Sequence, residues 1–134
     1  MAKAIRVTYF KTRIENKSGA LLALVKDLHA KKLGLIALKG MAHGGEGEIL
    51  VVAKDPEDLR GAWKASGILA EEGAAFYLSG ADKTGALVEN LNTLAGAGVN
   101  VAAVEAVSAG LNFGAILWVD PQDLDKAAQA LGAK

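Results

Sequence analysis

The sequence predicts an α+β protein built from two similar modules, each an antiparallel sheet with two helices on one face. Three observations carry this. Asn16-Lys17-Ser18-Gly19-Ala20-Leu21 returns in the second half of the chain as Asp82-Lys83-Thr84-Gly85-Ala86-Leu87, and self-similarity at a fixed period marks a duplicated unit. Apolar residues then stand at helical spacing in both copies, as Leu21, Leu24, Val25 and Leu28 and as Leu87, Val88, Leu91 and Leu94. Short aliphatic runs, Ile49-Leu50-Val51-Val52 and Ala115-Ile116-Leu117-Trp118-Val119, suit strands by their length.

Each element can be justified in turn. A first strand precedes each loop, Ile5 to Ile14 and Ala74 to Gly80. Asn16 or Asp82 then offers a side-chain oxygen to the first free amides of the following helix, as an N-cap does. The second strand is clearest where Val99, Val101, Ala103 and Val107 alternate with Asn100, Ala102 and Ala106. A glycine-containing turn leads to the aliphatic third strand. Asp55-Pro56 and Asp120-Pro121 open a second helix, with Asp capping and Pro at the first helical position. Its stripe is Leu59, Ala62, Trp63 and Ser66 in one copy and Leu124, Ala127, Ala128 and Leu131 in the other.

The step from Asp55-Pro56 to Asp120-Pro121 is shorter by one than the step from Asn16 to Asp82, so a single position has been gained or lost between them. The glycine-rich stretch His43-Gly44-Gly45-Glu46-Gly47 is the expected place. The unit is β-α-β-β-α, with a last strand at Ile68-Leu69-Ala70-Glu71 in the first copy. That is the ferredoxin-like plan, βαββαβ. The modules are drawn at residues 1–70 and 71–134, and the second ends with no residues left for its final strand. Met1 to Arg6 is the nearest spare length. A module of this size buries only about 60 % of the surface its unfolded chain exposes, so pairing of modules, and of chains as a homodimer, is expected.

Composition narrows the function. Of 134 residues, 51 % are apolar and only 5 % aromatic, and 15 basic residues balance 15 acidic ones. A neutral chain has no global field for a polyanion, and the aliphatic strands lack the aromatic platform of an RNA-binding sheet, so nucleic acid is not an expected partner. Without cysteine there is no disulfide, thiolate metal site or cysteine nucleophile. No apolar run approaches the roughly 18 residues of a membrane span. A cytoplasmic protein is expected.

The repeated loop is the best candidate for chemistry. Free amides at a helix N-terminus, at the positive end of its dipole, suit a carboxylate or phosphate. Gly19 and Gly85 lack a Cβ, which allows close approach of a ligand or a neighbouring backbone. Asn16 or Asp82 adds an oxygen suited to an ammonium group. A carboxylate receptor beside an ammonium acceptor is what a free α-amino acid or similar zwitterion requires. The same residues also suit a plain cap with a glycine that lets helix and strand pack.

Both loops resemble the strand-loop-helix signature of the ACT-domain family, and Ala97-Gly98-Val99-Asn100-Val101 resembles that family's entry into its second strand. The resemblance covers both copies. It implies a ferredoxin-like fold and a non-catalytic sensor that binds an amino acid between paired modules and regulates amino-acid metabolism. It points to Asn16, Lys17, Ser18, Gly19 and Ala20, to Asp82, Lys83, Thr84, Gly85 and Ala86, and to Asn100 as ligand-binding residues. The first copy departs from the pattern, with Lys32-Leu33-Gly34 at the strand entry, and Asn16 and Asp82 differ in charge, so unequal loops are expected.

Other groups give weaker signals. His29 lies among Asp27, Lys31 and Lys32 and reads as a solvated helix face. His43, Glu46 and Glu48 could in principle meet a divalent ion, but two carboxylates and one His in a turn are a poor metal signature. Trp63 sits on the apolar stripe of a helix and Trp118 in a strand, and both read as core. There is no phosphate-binding loop, dinucleotide fingerprint or nucleophile elbow. No cofactor, metal or catalytic residue is expected. The alternative to a sensor is a ligand-free interaction module, or a detached regulatory subunit that docks on a metabolic enzyme.

Overall fold

The computed structural model describes residues 1–81 and 84–133. Along the chain run β1 (Lys3–Glu15), α1 (Ala20–Ala30), β2 (Leu35–His43), β3 (Glu46–Ala53), α2 (Pro56–Ser66), β4 (Glu71–Ala81), α3 (Thr84–Gly96), β5 (Val101–Ala109) and β6 (Asn112–Val119). A single 3-10 turn, Pro121–Asp123, then leads into α4 (Leu124–Leu131). The strand ladders β1/β3, β2/β3, β4/β6 and β5/β6 are antiparallel, which makes the chain α+β.

By contacts the chain divides into Thr8–Gly73 and a second unit formed by Met1–Val7 with the chain from Ala74 onward. In the first unit the strands follow the order β2-β3-β1. Phe10 opposes Val51 across β1 and β3, and both join Leu24, Leu28, Ile49, Leu59 and Trp63 in the core. Ile68 to Ala70 run beside β1: the Ala70 N–H donates to the Lys11 carbonyl at 2.8 Å, and the Thr12 hydroxyl to that of Ile68 at 2.6 Å.

In the second unit the order is β1-β4-β6-β5, with Met1–Val7 supplying the β1 portion. Phe76 opposes Leu117 just as Phe10 opposes Val51 in the first repeat. Ala2 and Ala4 lie in this core with Phe76, Leu78, Leu94, Leu117, Ala127 and Leu131. The segment is fastened by a fully buried amide on α3. Asn90 Oδ1 accepts from the Ala2 N–H at 2.9 Å, and Asn90 Nδ2 donates to the Ala2 carbonyl at 3.2 Å. Among the described residues Thr12 and Asn90 are the buried polar side chains, and each holds a neighbouring strand segment by its backbone.

This partition differs from a cut at residue 70. β1 and β4 each cross from one unit into the other, β1 between Val7 and Thr8 and β4 between Gly73 and Ala74. Ile68-Leu69-Ala70-Glu71 is thus the approach to one long β4 and not a separate strand. The strand missing from the second copy is the start of the chain, because an unpaired β4 edge needs a ladder partner.

The structure corrects two further expectations. The hairpin turns of the copies match position for position, with Gly44 at φ 63° and Gly110 at φ 64°. The register set by the loops also persists to the ends of the third strands, where Leu35 opposes Ala53 and Val101 opposes Val119. The extra residue is therefore Lys54, between β3 and α2, and not one in the 43–47 turn. Its counterpart junction is tighter, and the second copy enters its last helix through the 3-10 turn. The helix stripes are also narrower than the spacing implies: Leu24 and Leu28 are buried on α1, while Leu21 and Val25 are exposed.

Candidate functional site

In the first loop the helix α1 is capped by Gly19, at φ 86°, with no side-chain capping bond. The Asn16 side chain does not cap, contrary to the sequence reading. Its Nδ2 donates to the Gly44 carbonyl at 2.8 Å, and its backbone N–H donates to the Gly45 carbonyl at 3.0 Å. Asn16 thus joins the loop to the β2–β3 turn. The cap follows from backbone geometry, since a residue with φ this far into the left-handed region is costly for anything but glycine.

Asn16, Lys17, Ser18 and Gly19 are exposed and Ala20 is half-buried. Lys17 pairs with Glu15 at 2.9 Å. The Ala23 N–H donates to the Gly19 carbonyl at 2.9 Å, and the Ala20 N–H to that of Lys17 at 3.3 Å. The loop therefore presents a positive helix end with no side-chain acceptor bonded to its first turn. A Cβ on Gly19 would meet open space, so Gly19→Ala is expected to cost about 1–2 kcal/mol through left-handed strain alone. Urea unfolding checks this, and an unchanged midpoint would contradict it.

In the second loop Asp82 and Lys83 lie outside the described residues. Thr84, Gly85 and Ala86 form the first turn of α3; Thr84 and Gly85 are exposed, and Ala86 packs against the core. Asn100 is exposed beyond the far end of that helix. A helix of 13 residues spans about 20 Å, so the structure does not bring Asn100 to the loop of its own repeat.

A second polar cluster lies on the first unit, on strand positions alternating with the core. Lys11 Nζ pairs with Glu48 at 3.1 Å and Glu71 at 3.5 Å, and the Tyr9 hydroxyl donates to Glu71 at 3.1 Å. The hydrogen bond from Lys11, and then its charge, hold the Glu48 carboxyl below its ordinary range, and the same contact raises Lys11. Burial, then the bond to Glu71, raises the Tyr9 phenol. Arg13 pairs with Glu46 at 3.1 Å, and His43 lies 3.7 Å from Glu48. Both carboxylates of the weak metal candidate thus have basic partners. Among the described residues there is no group of three or more His, Asp or Glu placed to hold a metal, and no helix is long and apolar enough to cross a membrane.

Asn90 and Thr12 escaped the sequence reading. For Asn90 there was a signal: it occupies a core position of a helix whose repeat mate is Leu24, and a buried amide needs partners.

Comparison with solved structures finds the same fold in other chains. The chain is similar to protein BT0572 from Bacteroides thetaiotaomicron, with 22 % identity, TM-score 0.82 and coverage of 96 % of this chain and 88 % of that one. It is also similar to the regulatory subunit of aspartate kinase from Thermus thermophilus in its ligand-free form, at 12 % identity and TM-score 0.60, covering 96 % and 91 % of the two chains. A third likeness is to a C-terminal regulatory domain of aspartate kinase from Porphyromonas gingivalis, at 14 % identity and TM-score 0.55, covering 98 % and 94 %. Such neighbours are consistent with the ACT-domain resemblance. No family model and no curated protein matches the chain.

Proposed function

We propose that the chain is a non-catalytic regulatory module that binds a free amino acid or similar small zwitterion and acts on a partner enzyme of amino-acid metabolism. The observation that carries this is the first loop: a helix N-terminus capped by a left-handed glycine, with its side-chain cap position left unused, in a segment the chain repeats. Carboxylate binding there takes the place of the missing cap. The neighbours support a regulatory role by fold alone. Asn16 to Ala20 and Asp82 to Ala86 are the proposed contacts, and no catalytic residue or cofactor is required. Ligand binding would favour one arrangement of paired modules, which the partner reads.

A docking module that needs no ligand is the second reading, favoured by the edge strand β5. Val104, Val107 and the turn residue Leu111 are exposed there, the last at 85 %. Such an edge offers a ladder to a second copy or to an enzyme. A thermal-shift screen of the twenty amino acids separates the two. At a hundred times its dissociation constant a true ligand stabilises the fold by about 2.7 kcal/mol. No shift with any of them, together with dimerisation or capture by an enzyme through β5, favours docking.

A further inference from the structure

Among the described residues, β2 borders the first unit and β5 the second, paired with β3 and with β6 on their inner sides. The two strands are repeat mates of nine residues each, Leu35–His43 and Val101–Ala109. Both carry a register shift at the same place, between Leu35 and Ala37 and between Val101 and Ala103. Beyond it the ladders run in the same phase, Leu38 opposing Val51 as Val104 opposes Leu117. Backbone groups that point outward therefore recur at matching positions on both edges. Neither strand holds a proline, and each has one charged residue at its midpoint, Lys39 on β2 and Glu105 on β5.

An open edge recruits another strand unless something repels it, and a charge on the edge does so. Laid antiparallel on its own copy over the full length, β2 sets Lys39 opposite Lys39, and β5 sets Glu105 opposite Glu105. Like charges directly opposite are destabilising, whereas opposite charges there are favourable. β2 laid on the β5 of a second copy sets Lys39 opposite Glu105, midpoint to midpoint. The flanking pairs put a large side chain against a small one: Ala37 with Val107, Leu38 with Ala106, Gly40 with Val104 and Met41 with Ala103. Self-pairing also sets large against small, so the midpoint charges decide which partner is accepted. We propose that the β2 edge is an interface for a second copy of this chain, which meets it with β5 in this antiparallel register. Leu38, Met41, Val104 and Val107, exposed at 38 %, 47 %, 45 % and 71 %, border the seam. The contact is heterologous, so copies either close on one another or continue in a row. It rests on the β5 edge of the docking reading and needs no ligand.

The chain has no cysteine, so Lys39→Cys and Glu105→Cys each introduce a single thiol. Directly opposite strand positions lie ~4.5–5.5 Å apart between Cα atoms, within the ~4.4–6.8 Å that a disulfide spans. Under mild oxidation an equimolar mixture of the two variants is expected to give a cross-linked pair containing one of each, and neither variant alone a homodimer. Homodimers of either variant overturn the proposal, as does a mixture that yields no cross-link. Sedimentation velocity of the full chain gives a second readout. Lys39→Glu or Glu105→Lys alone should weaken self-association about 2- to 30-fold per seam, as an attractive pair becomes a repulsive one. The chain carrying both exchanges should recover it, which separates loss of the seam from loss of the fold. Equal self-association in all four chains, a double variant that stays dissociated, or an unaltered chain that stays monomeric overturns the proposal. An enzyme captured through β5 while the thiol mixture gives no cross-link leaves the docking reading standing and overturns this one.

Discussion

Asn90→Leu is expected to destabilise the protein by roughly 2–6 kcal/mol, although it places an apolar residue in a fully buried site. The equivalent position of the first repeat accepts that same side chain, as Leu24 in the core. The difference lies in what each helix faces. Asn90 receives both polar groups of Ala2, and Ala2 is itself buried at 5 % exposure. Replacing the amide leaves an N–H and a carbonyl without partners, at about 1–3 kcal/mol for each group. The chain can relieve this only by undocking Met1–Val7, which removes Ala2 and Ala4 from the core. Urea unfolding measures the loss, and amide exchange over residues 2–7 should accelerate with it. A cost below about 1 kcal/mol would show that the two bonds are not what holds the segment.

Trp63→Ala is expected to cost about 3–5 kcal/mol, the range for truncating a buried aromatic ring. Trp63 is fully buried on α2 within the cluster of Phe10, Leu28 and Leu59. Its Nε1 is buried with no hydrogen-bond partner among the described residues. That unpaired donor predicts an unequal series. Trp63→Phe sheds the donor with part of the ring, so it should cost well under half as much as Trp63→Ala. Equal losses for the two variants would mean that the indole N–H does have a partner. Trp118 remains as the fluorescent reporter in both variants, so one denaturation series decides the question.

Much of the fold could be read from residues. The loop repeat, the helical spacing and the aliphatic runs identify each helix and strand in order, because hydrophobic period and turn chemistry are local properties. Three things were not local. The partner of the β4 edge is settled by which distant segment fits beside it, and Met1 to Arg6 carries no pattern that names its place. The glycine-rich turn attracts the extra residue because Gly44-Gly45 and Gly110-Leu111 look unlike, yet both adopt the same positive φ at their first residue. The role of Asn16 could not be told from its type, since an amide can accept as a cap or donate as a latch. It donates, because Gly19 already caps the start of the helix and the Gly44 carbonyl faces the loop. Loop membership was thus legible in the sequence, while the division of labour within the loop needed coordinates.

The placement of Met1–Val7 has a consequence for the order of the chain itself. In the first repeat, α2 is followed by Gly67 at φ 72°, an Ile68 N–H bonded to the Trp63 carbonyl at 3.0 Å, and then the approach to β4. In the second, α4 is followed by Gly132 at φ 69° and an Ala133 N–H bonded to the Ala128 carbonyl at 2.9 Å. By that equivalence the next strand of the second repeat begins with the residues that stand at the opposite end of the sequence. The strand that follows the second helix is thus supplied within one unit by the residues after α2, and within the other by Met1–Val7.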